Sequence, residues 1–317
     1  MRIALVLVVA AASALNATAS ALAATPFEDP YDLPEAPRPP TLPELTHRDV
    51  EATAESTMGV VYPKTDASPG WTKGAGSFVQ RMSVEVPLGA RRWFAGATYE
   101  TVLGVDPPSG GAPKLVGGNA EAYGRTVWAT RTGLAFGGGL GIMFPVTSFD
   151  EGSPAWRIAG AGASVRPWDF QFFEKDALTA RPFIDVRVLD GRFVIQLRQG
   201  LDWALVAGSA TRSKLSAVTA LYVGYRIGGI VGAGLEAFEL YFVEGQAADN
   251  ARAFFAVSPS LRLTTPFVQP CFSVVSSVAD PLYPSSVNTI AFRLALTVLW
   301  DPTTRSIEPD RRRDLAP

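Results

Sequence analysis

The chain has 317 residues, a formal net charge of −2, one histidine and one cysteine. That charge gives no reason to expect a nucleic-acid partner, and a lone Cys271 excludes an intramolecular disulfide framework. Charged residues make up only 18% of the chain, against roughly 25% in ordinary globular domains.

At the N-terminus Met1 and Arg2 precede the apolar run "IALVLVVAAASAL", and Ala21-Leu22-Ala23 follows as an A-x-A cleavage pattern. The run is shorter than the roughly 20 residues that a membrane-spanning helix needs. A cleaved export signal over residues 1–23 is therefore expected, in preference to a retained helix. No cysteine follows it to carry a lipid anchor. Residues 24–48 form an arm with prolines at 26, 30, 34, 37, 39, 40 and 43, which forbid helix and ladder alike. It reads as an extended, solvated segment; the alternative is that it tucks into a pore or binds a partner. Beyond the signal no apolar run is long enough for a helical span, and the longest, "GLAFGGGLGIMFPV", is rich in glycine.

From about residue 50 the apolar period is two. "SFVQRMSVEVPL" sets Phe78, Met82, Val84, Val86 and Leu88 against Arg81, Ser83 and Glu85. "RWFAGATYETVLG" sets Trp93, Ala95, Ala97, Tyr99 and Leu103 against Phe94, Thr98 and Glu100. "EAYGRTVWAT" places Glu121, Tyr123 and Arg125 opposite Trp128, and "LAFGGGLGIMFPV" backs its apolar positions with glycine and alanine. Further strands read at 154–166, 181–189, 192–205, 214–227, 229–243, 252–264, 266–279 and 287–300, with a weaker pattern at 49–62. No long helical period appears, so the fold class is all-β. In "RVLDGRFVIQLR" Asp190-Gly191 reads as a two-residue hairpin turn. That register faces Val188 with Phe193, Val186 with Ile195, Asp185 with Gln196 and Phe183 with Arg198. It sorts apolar from polar residues across both strands, as a one-residue slip would not.

Periodicity does not say which face is wet. A soluble sandwich hides its apolar face; a transmembrane barrel shows it to lipid and encloses the polar one. Here the polar face is sparse, and its cations are almost all arginine: the only lysines are 64, 73, 114, 175 and 214. Guanidinium is weakly hydrated and bridges carboxylates, which suits an enclosed interior. Trp93, Trp128, Trp156, Trp203, Tyr241 and Trp300 fall towards strand ends, where membrane interfaces collect aromatics. Many runs exceed the 5 or 6 residues usual in soluble strands and match the roughly 9–11 that cross a bilayer at a tilt.

The last strand, "IAFRLALTVLW", has Ile290, Phe292, Leu294, Leu296 and Val298 at alternate positions before a closing aromatic, Trp300. It resembles the C-terminal signature strand of bacterial outer-membrane β-barrel proteins, porin-like in architecture. The resemblance implies a Gram-negative outer-membrane location, contact with outer-membrane lipid and recognition of residues 287–300 by the barrel-assembly machinery. One departure stands out: a polar tail, 301–317, follows the signature, which commonly ends the chain. The expected domain is thus a transmembrane antiparallel up-and-down barrel over residues 49–300. Such barrels have even strand numbers. Thirteen candidates therefore resolve to twelve strands, with fourteen as the alternative, and the doubtful segments are 49–62 and 167–180.

Chemistry is limited. His47 is the sole histidine and precedes the strands, which excludes a Ser-His-Asp constellation inside a barrel and a multi-histidine metal site. Glu236 and Glu239 are three apart on a strand and point to opposite faces. No enzyme activity, cofactor or metal is expected. Strand parity sends Arg81, Glu85, Glu100, Glu121, Arg125, Asp185, Arg187, Gln196, Arg198, Glu236, Arg262 and Arg293 to the lumen. Two functions follow: a narrow pore or transporter for small solutes, or a closed structural or surface-interaction barrel whose lumen is filled by paired charges and which transports nothing.

Overall fold

The computed structural model describes residues 42, 45, 50–63, 76–88, 92–104, 112–129, 133–147, 149–150, 152–207, 213–227, 230–244, 253–265, 267–279 and 287–300. The export signal, most of the arm with His47, and the tail lie outside the described residues. Twelve strands close into one antiparallel barrel, each paired with its neighbours in sequence and the last with the first. They are β1 (Val50–Pro63), β2 (Gly76–Leu88), β3 (Trp93–Gly104), β4 (Lys114–Ala129), β5 (Leu134–Phe144) and β6 (Ala177–Asp190). There follow β7 (Phe193–Val206), β8 (Ser213–Ile227), β9 (Val231–Glu244), β10 (Ala253–Leu263), β11 (Val268–Ala279) and β12 (Val287–Trp300). Closure pairs Val50 with Trp300 and Thr57 with Arg293. The strand ends joined through short sequence intervals, such as Leu88 to Trp93 and Asp190 to Phe193, lie at the end of the barrel where Val50 and Trp300 meet; those separated by longer intervals lie at the other end.

The hydropathy is inverted relative to a soluble protein. On β12 Leu294 is 60% exposed and Arg293 is 1% exposed, and the alternation holds along the strand. Met82, Ile184, Leu235 and Leu261 present the same apolar outer surface on other strands. Such a continuous oily exterior is stable only against lipid. Among the aromatics, Trp93, Trp128 and Trp300 are exposed near the short-turn end, and Trp203 and Tyr241 near the other.

Three expectations need correcting. The surplus strand is 154–166, which forms a helix, α1 (Pro154–Val165). Its start is set locally: the Ser153 side chain accepts from Trp156 N at 3.2 Å, and Pro154 occupies the first turn. Trp156 therefore sits on a helix and marks no strand end. The weak pattern at 49–62 is β1, and 167–180 holds a kinked 3-10 segment (Pro167–Phe173) before β6 begins. The hairpin is shifted by two: Asp190 pairs with Phe193 and the turn is Gly191-Arg192. Positive φ falls on Gly191 alone (57°), as in a type II′ turn. A two-residue slip keeps every side chain on its own face, but it puts Asp185 opposite Arg198.

The arm also differs from its solvated reading at the two positions described. Leu45 is buried among the inward-facing Phe94, Val127, Ala129 and Ala135 near the short-turn end, and Leu42 lines the lumen deeper in.

Candidate functional site in the barrel lumen

The lumen is filled from the long-loop end by the segment between β5 and β6. α1 lays Ile158, Ala161, Gly162 and Val165 against the inner wall. Small wall residues make the room: a Cβ on Gly59 would lie 2.3 Å from Val165, and one on Gly104 would lie 2.9 Å from Ile158. The 3-10 segment is buried throughout. Trp168 stacks on Phe238 at 4.1 Å between centroids, and Phe170 meets Phe242 edge-on at 5.4 Å. Asn119 of β4 donates to the carbonyls of Gln171 (3.0 Å) and Glu174 (2.7 Å), satisfying backbone that leaves the segment.

Charge holds the tip of this insert to the wall. Asp169 accepts from Arg81 Nη1 of β2 at 2.8 Å and from Arg166 Nη2 at 2.7 Å, and Arg181 of β6 stands 3.5 Å away. Arg166 also donates to Glu55 of β1, and its Nε lies 3.5 Å from Glu100 of β3. Arg181 in turn is anchored to Asp202 of β7 at 2.9 Å and to Glu121 at 3.3 Å. Burial acts to raise the Asp169 carboxyl, but the guanidiniums of Arg81, Arg166 and Arg181 outweigh it and hold it well below the usual carboxylate range.

Two further groups of charges line the wall. Towards the short-turn end Arg125 grips Glu85 with two bonds, 2.8 and 2.6 Å, while lying over the Phe94 ring, and Tyr123 donates to the same carboxylate at 2.9 Å. Arg198 grips Asp185 with two bonds of 2.8 Å and lies over Phe183. Here β5 contributes only glycine: a Cβ on Gly139 would meet the Gly124 carbonyl at 2.5 Å and the Phe183 ring at 2.6 Å. On the opposite wall Arg293 donates to Glu236 (3.2 Å), Ser258 (3.2 Å) and Ser273 (2.7 Å). Arg187 and Gln196 are paired neighbours buried near the short-turn end, and Arg262 donates to Thr297 at 3.4 Å. Thus the twelve lumen residues named from sequence all sit on inward faces, and Glu236 is buried while Glu239 lies on the outer face.

Five residues of the central cluster escaped the sequence reading: Glu55, Arg166, Asp169, Arg181 and Asp202. Arg181 and Asp202 share parity with Asp185 and Arg198 on the strands read at 181–189 and 192–205, so carrying the parity to the strand ends would have found them. Arg166 closed the segment read as a strand at 154–166, and Asp169 lay in the doubtful stretch 167–180. Between the insert and Leu42 remains a cavity of about 160 Å³, lined by Arg81, Glu85, Glu121, Arg181, Arg198 and Arg262 among others. Among the described residues no group of His, Cys, Asp and Glu is arranged to hold a metal ion.

No family model and no curated protein matches the chain. Solved structures do. The COG4313 outer membrane channel from Pseudomonas putida F1 superposes with a TM-score of 0.61 at 9% identity, over 83% of this chain and 99% of that one. This chain has the fold of an outer-membrane channel. A NanC porin gives a TM-score of 0.49 at 9% identity, over 77% of this chain and 98% of that one. A KdgM porin gives 0.44 at 8%, over 78% and 98%.

Proposed function

We propose that the protein is an outer-membrane channel for small polar solutes, held closed in this state by α1 and the 3-10 segment. The insert is the observation that carries this reading. A structural barrel of small size fills its lumen with wall side chains. Here the wall stops short, with glycines at 59 and 104, and a separate segment occupies the space. A helix with side chains is ~10–12 Å across, so the space it vacates admits small solutes and excludes folded protein. The wall left behind carries the charged cluster of Glu55, Arg81, Glu100 and Arg181 beside an apolar strip of Phe238, Leu240 and Phe242, and the charged part supports a path for polar solutes.

The same reading places the barrel in a Gram-negative outer membrane, reached by an export signal cleaved after Ala23, with residues 287–300 presented to the barrel-assembly machinery. It assigns the protein no catalysis. Single-channel recording of refolded protein in a planar bilayer tests it. Deletion of residues 154–173, alone and combined with Leu42→Ser and Leu45→Ser, is expected to raise conductance well above wild type. If these variants fold to heat-modifiable barrels and pass no current, the closed structural barrel is the correct description.

A further inference from the structure

The 166–169 turn carries a cation and an anion on adjacent side chains, and the wall meets each with opposite charge. Arg166 donates to Glu55, has Nη1 3.4 Å from Thr57 Oγ1, and has Nε 3.5 Å from Glu100. Asp169 takes the guanidiniums of Arg81 at 2.8 Å and Arg181 at 3.5 Å. The pair is joined internally at 2.7 Å. A guanidinium and a carboxylate held this way, on one short segment, reproduce two of the three charges of free arginine, whose α-ammonium is the third.

Two observations say that the wall, rather than the insert, is the built component. Glu100 is fully buried and neither of its oxygens has a hydrogen-bond donor; its nearest cations stand at 3.5 and 3.6 Å. A buried carboxylate left short of donors is costly, and Arg166 serves it only at a distance. The charges of the wall are also unequal. Among the described residues, the ion pairs that the carboxylates of Glu55, Glu100, Glu121 and Asp202 make without the insert are to Arg81 and Arg181, with Arg198 and Arg262 further along the same cavity. The ring itself would hold more carboxylates than guanidiniums, a bias that favours a solute with a surplus cation.

We propose that this ring is a binding site for a free basic amino acid or a small basic peptide, and that Arg166 and Asp169 occupy it as a tethered substitute. The solute guanidinium would enter between Glu55 and Glu100, matching carboxylates with its fork of donors, and its carboxylate would take the place of Asp169 between Arg81 and Arg181. Binding then competes with docking of the insert, so the solute favours the open channel. The inference rests on reading the lumen as a solute path.

The test is calorimetric titration of L-arginine into the full-length refolded barrel in detergent. Arg166→Gln with Asp169→Asn removes the internal competitor and is expected to tighten arginine binding about tenfold or more, because the site is no longer self-occupied. Adding Glu100→Gln is expected to abolish that gain. Agmatine, which lacks the carboxylate, and acetate, which lacks the cation, should both bind more weakly than arginine. A folded double variant that binds arginine no better than wild type overturns the proposal, as does tighter binding of acetate or equal binding of agmatine. Should the double variant fail to fold, the wild-type barrel decides: arginine should change the fluorescence of Trp168, saturably and not in Trp168→Phe, and no such change overturns the proposal. Calorimetry needs no current. Binding without conductance would leave the site and remove the channel, and conductance without binding would do the reverse.

Discussion

Asp169→Asn is the perturbation that addresses the closed state most directly. The side chain keeps its shape and loses its charge. Removing one partner of a buried ion pair costs about 3–5 kcal/mol, and the low end applies here because each arginine keeps another carboxylate: Arg81 keeps Glu100, Arg166 keeps Glu55, and Arg181 keeps Asp202. Of the contacts that Asp169 itself makes, those to Arg81 and Arg181 tie insert to wall, since Arg166 belongs to the insert. The share that biases docking is therefore about 2 kcal/mol, a factor of about 30 in the ratio of docked to undocked insert. In single-channel recordings the fraction of time spent open should rise by that factor, with unit conductance unchanged. Asp185→Asn is the control: its ion pair is with Arg198, which also sits on the wall, so it should leave gating alone. Equal open fractions for Asp169→Asn and wild type would refute the electrostatic latch. The pH dependence follows from the depressed pKa of Asp169. A carboxylate held below its ordinary value stabilises the docked state at any pH above the free value of about 4. That contribution is lost only as pH falls on through the depressed value. The open fraction of wild type should thus stay flat from neutral pH to about 4 as far as Asp169 controls it, and rise below.

Other substitutions probe the wall. Gly139→Ala drives a Cβ to 2.5 Å from a backbone carbonyl that cannot give way; overpacking of this kind costs about 1–3 kcal/mol. Gly138→Ala, one residue earlier and facing outward, meets nothing nearer than 3.5 Å and should be tolerated. Denaturant midpoints in lipid vesicles compare the two. Leu294→Arg places a charge midway along β12 on the outer face and should destabilise the barrel in lipid by about 2–4 kcal/mol, against roughly 0–1 for Trp300→Arg at the rim.

Parity carried much of the architecture. Charges in mid-strand such as Arg293 and Asp185 had one tenable face, because the other lies in lipid, and the structure puts them inward. Arg293 looks onto a carboxylate, Glu236, and not onto open water. The helix was missed for a physical reason: "AWRIAGAGASV" is built of small residues whose apolar positions fit period two as readily as 3.6. Ser153-Pro154 was the readable start signal. The hairpin slip was illegible because a shift of two leaves both faces correctly sorted, and only the ion pair of Asp185 with Arg198 distinguishes the registers.

The insert itself left one trace that periodicity alone does not use. β9 reads "LEAFELYF", and its inward set is Glu236, Phe238, Leu240 and Phe242. A strand with apolar residues on both faces and lipid on one side exposes the other face at a free-energy cost unless something covers it. Its inner face demands a second protein layer, which the 3-10 segment supplies through Trp168 and Phe170. This can be measured. Phe238→Ala should loosen the insert, since deleting a buried phenylalanine costs about 3–5 kcal/mol. The decisive quantity is its coupling to Trp168→Ala. For rings stacked at 4.1 Å, a double-mutant cycle on unfolding in vesicles should show a coupling of about 0.5–1.5 kcal/mol. Additive effects would mean that Phe238 fills the lumen on its own account, and that the inner apolar face of β9 has another cause than the insert.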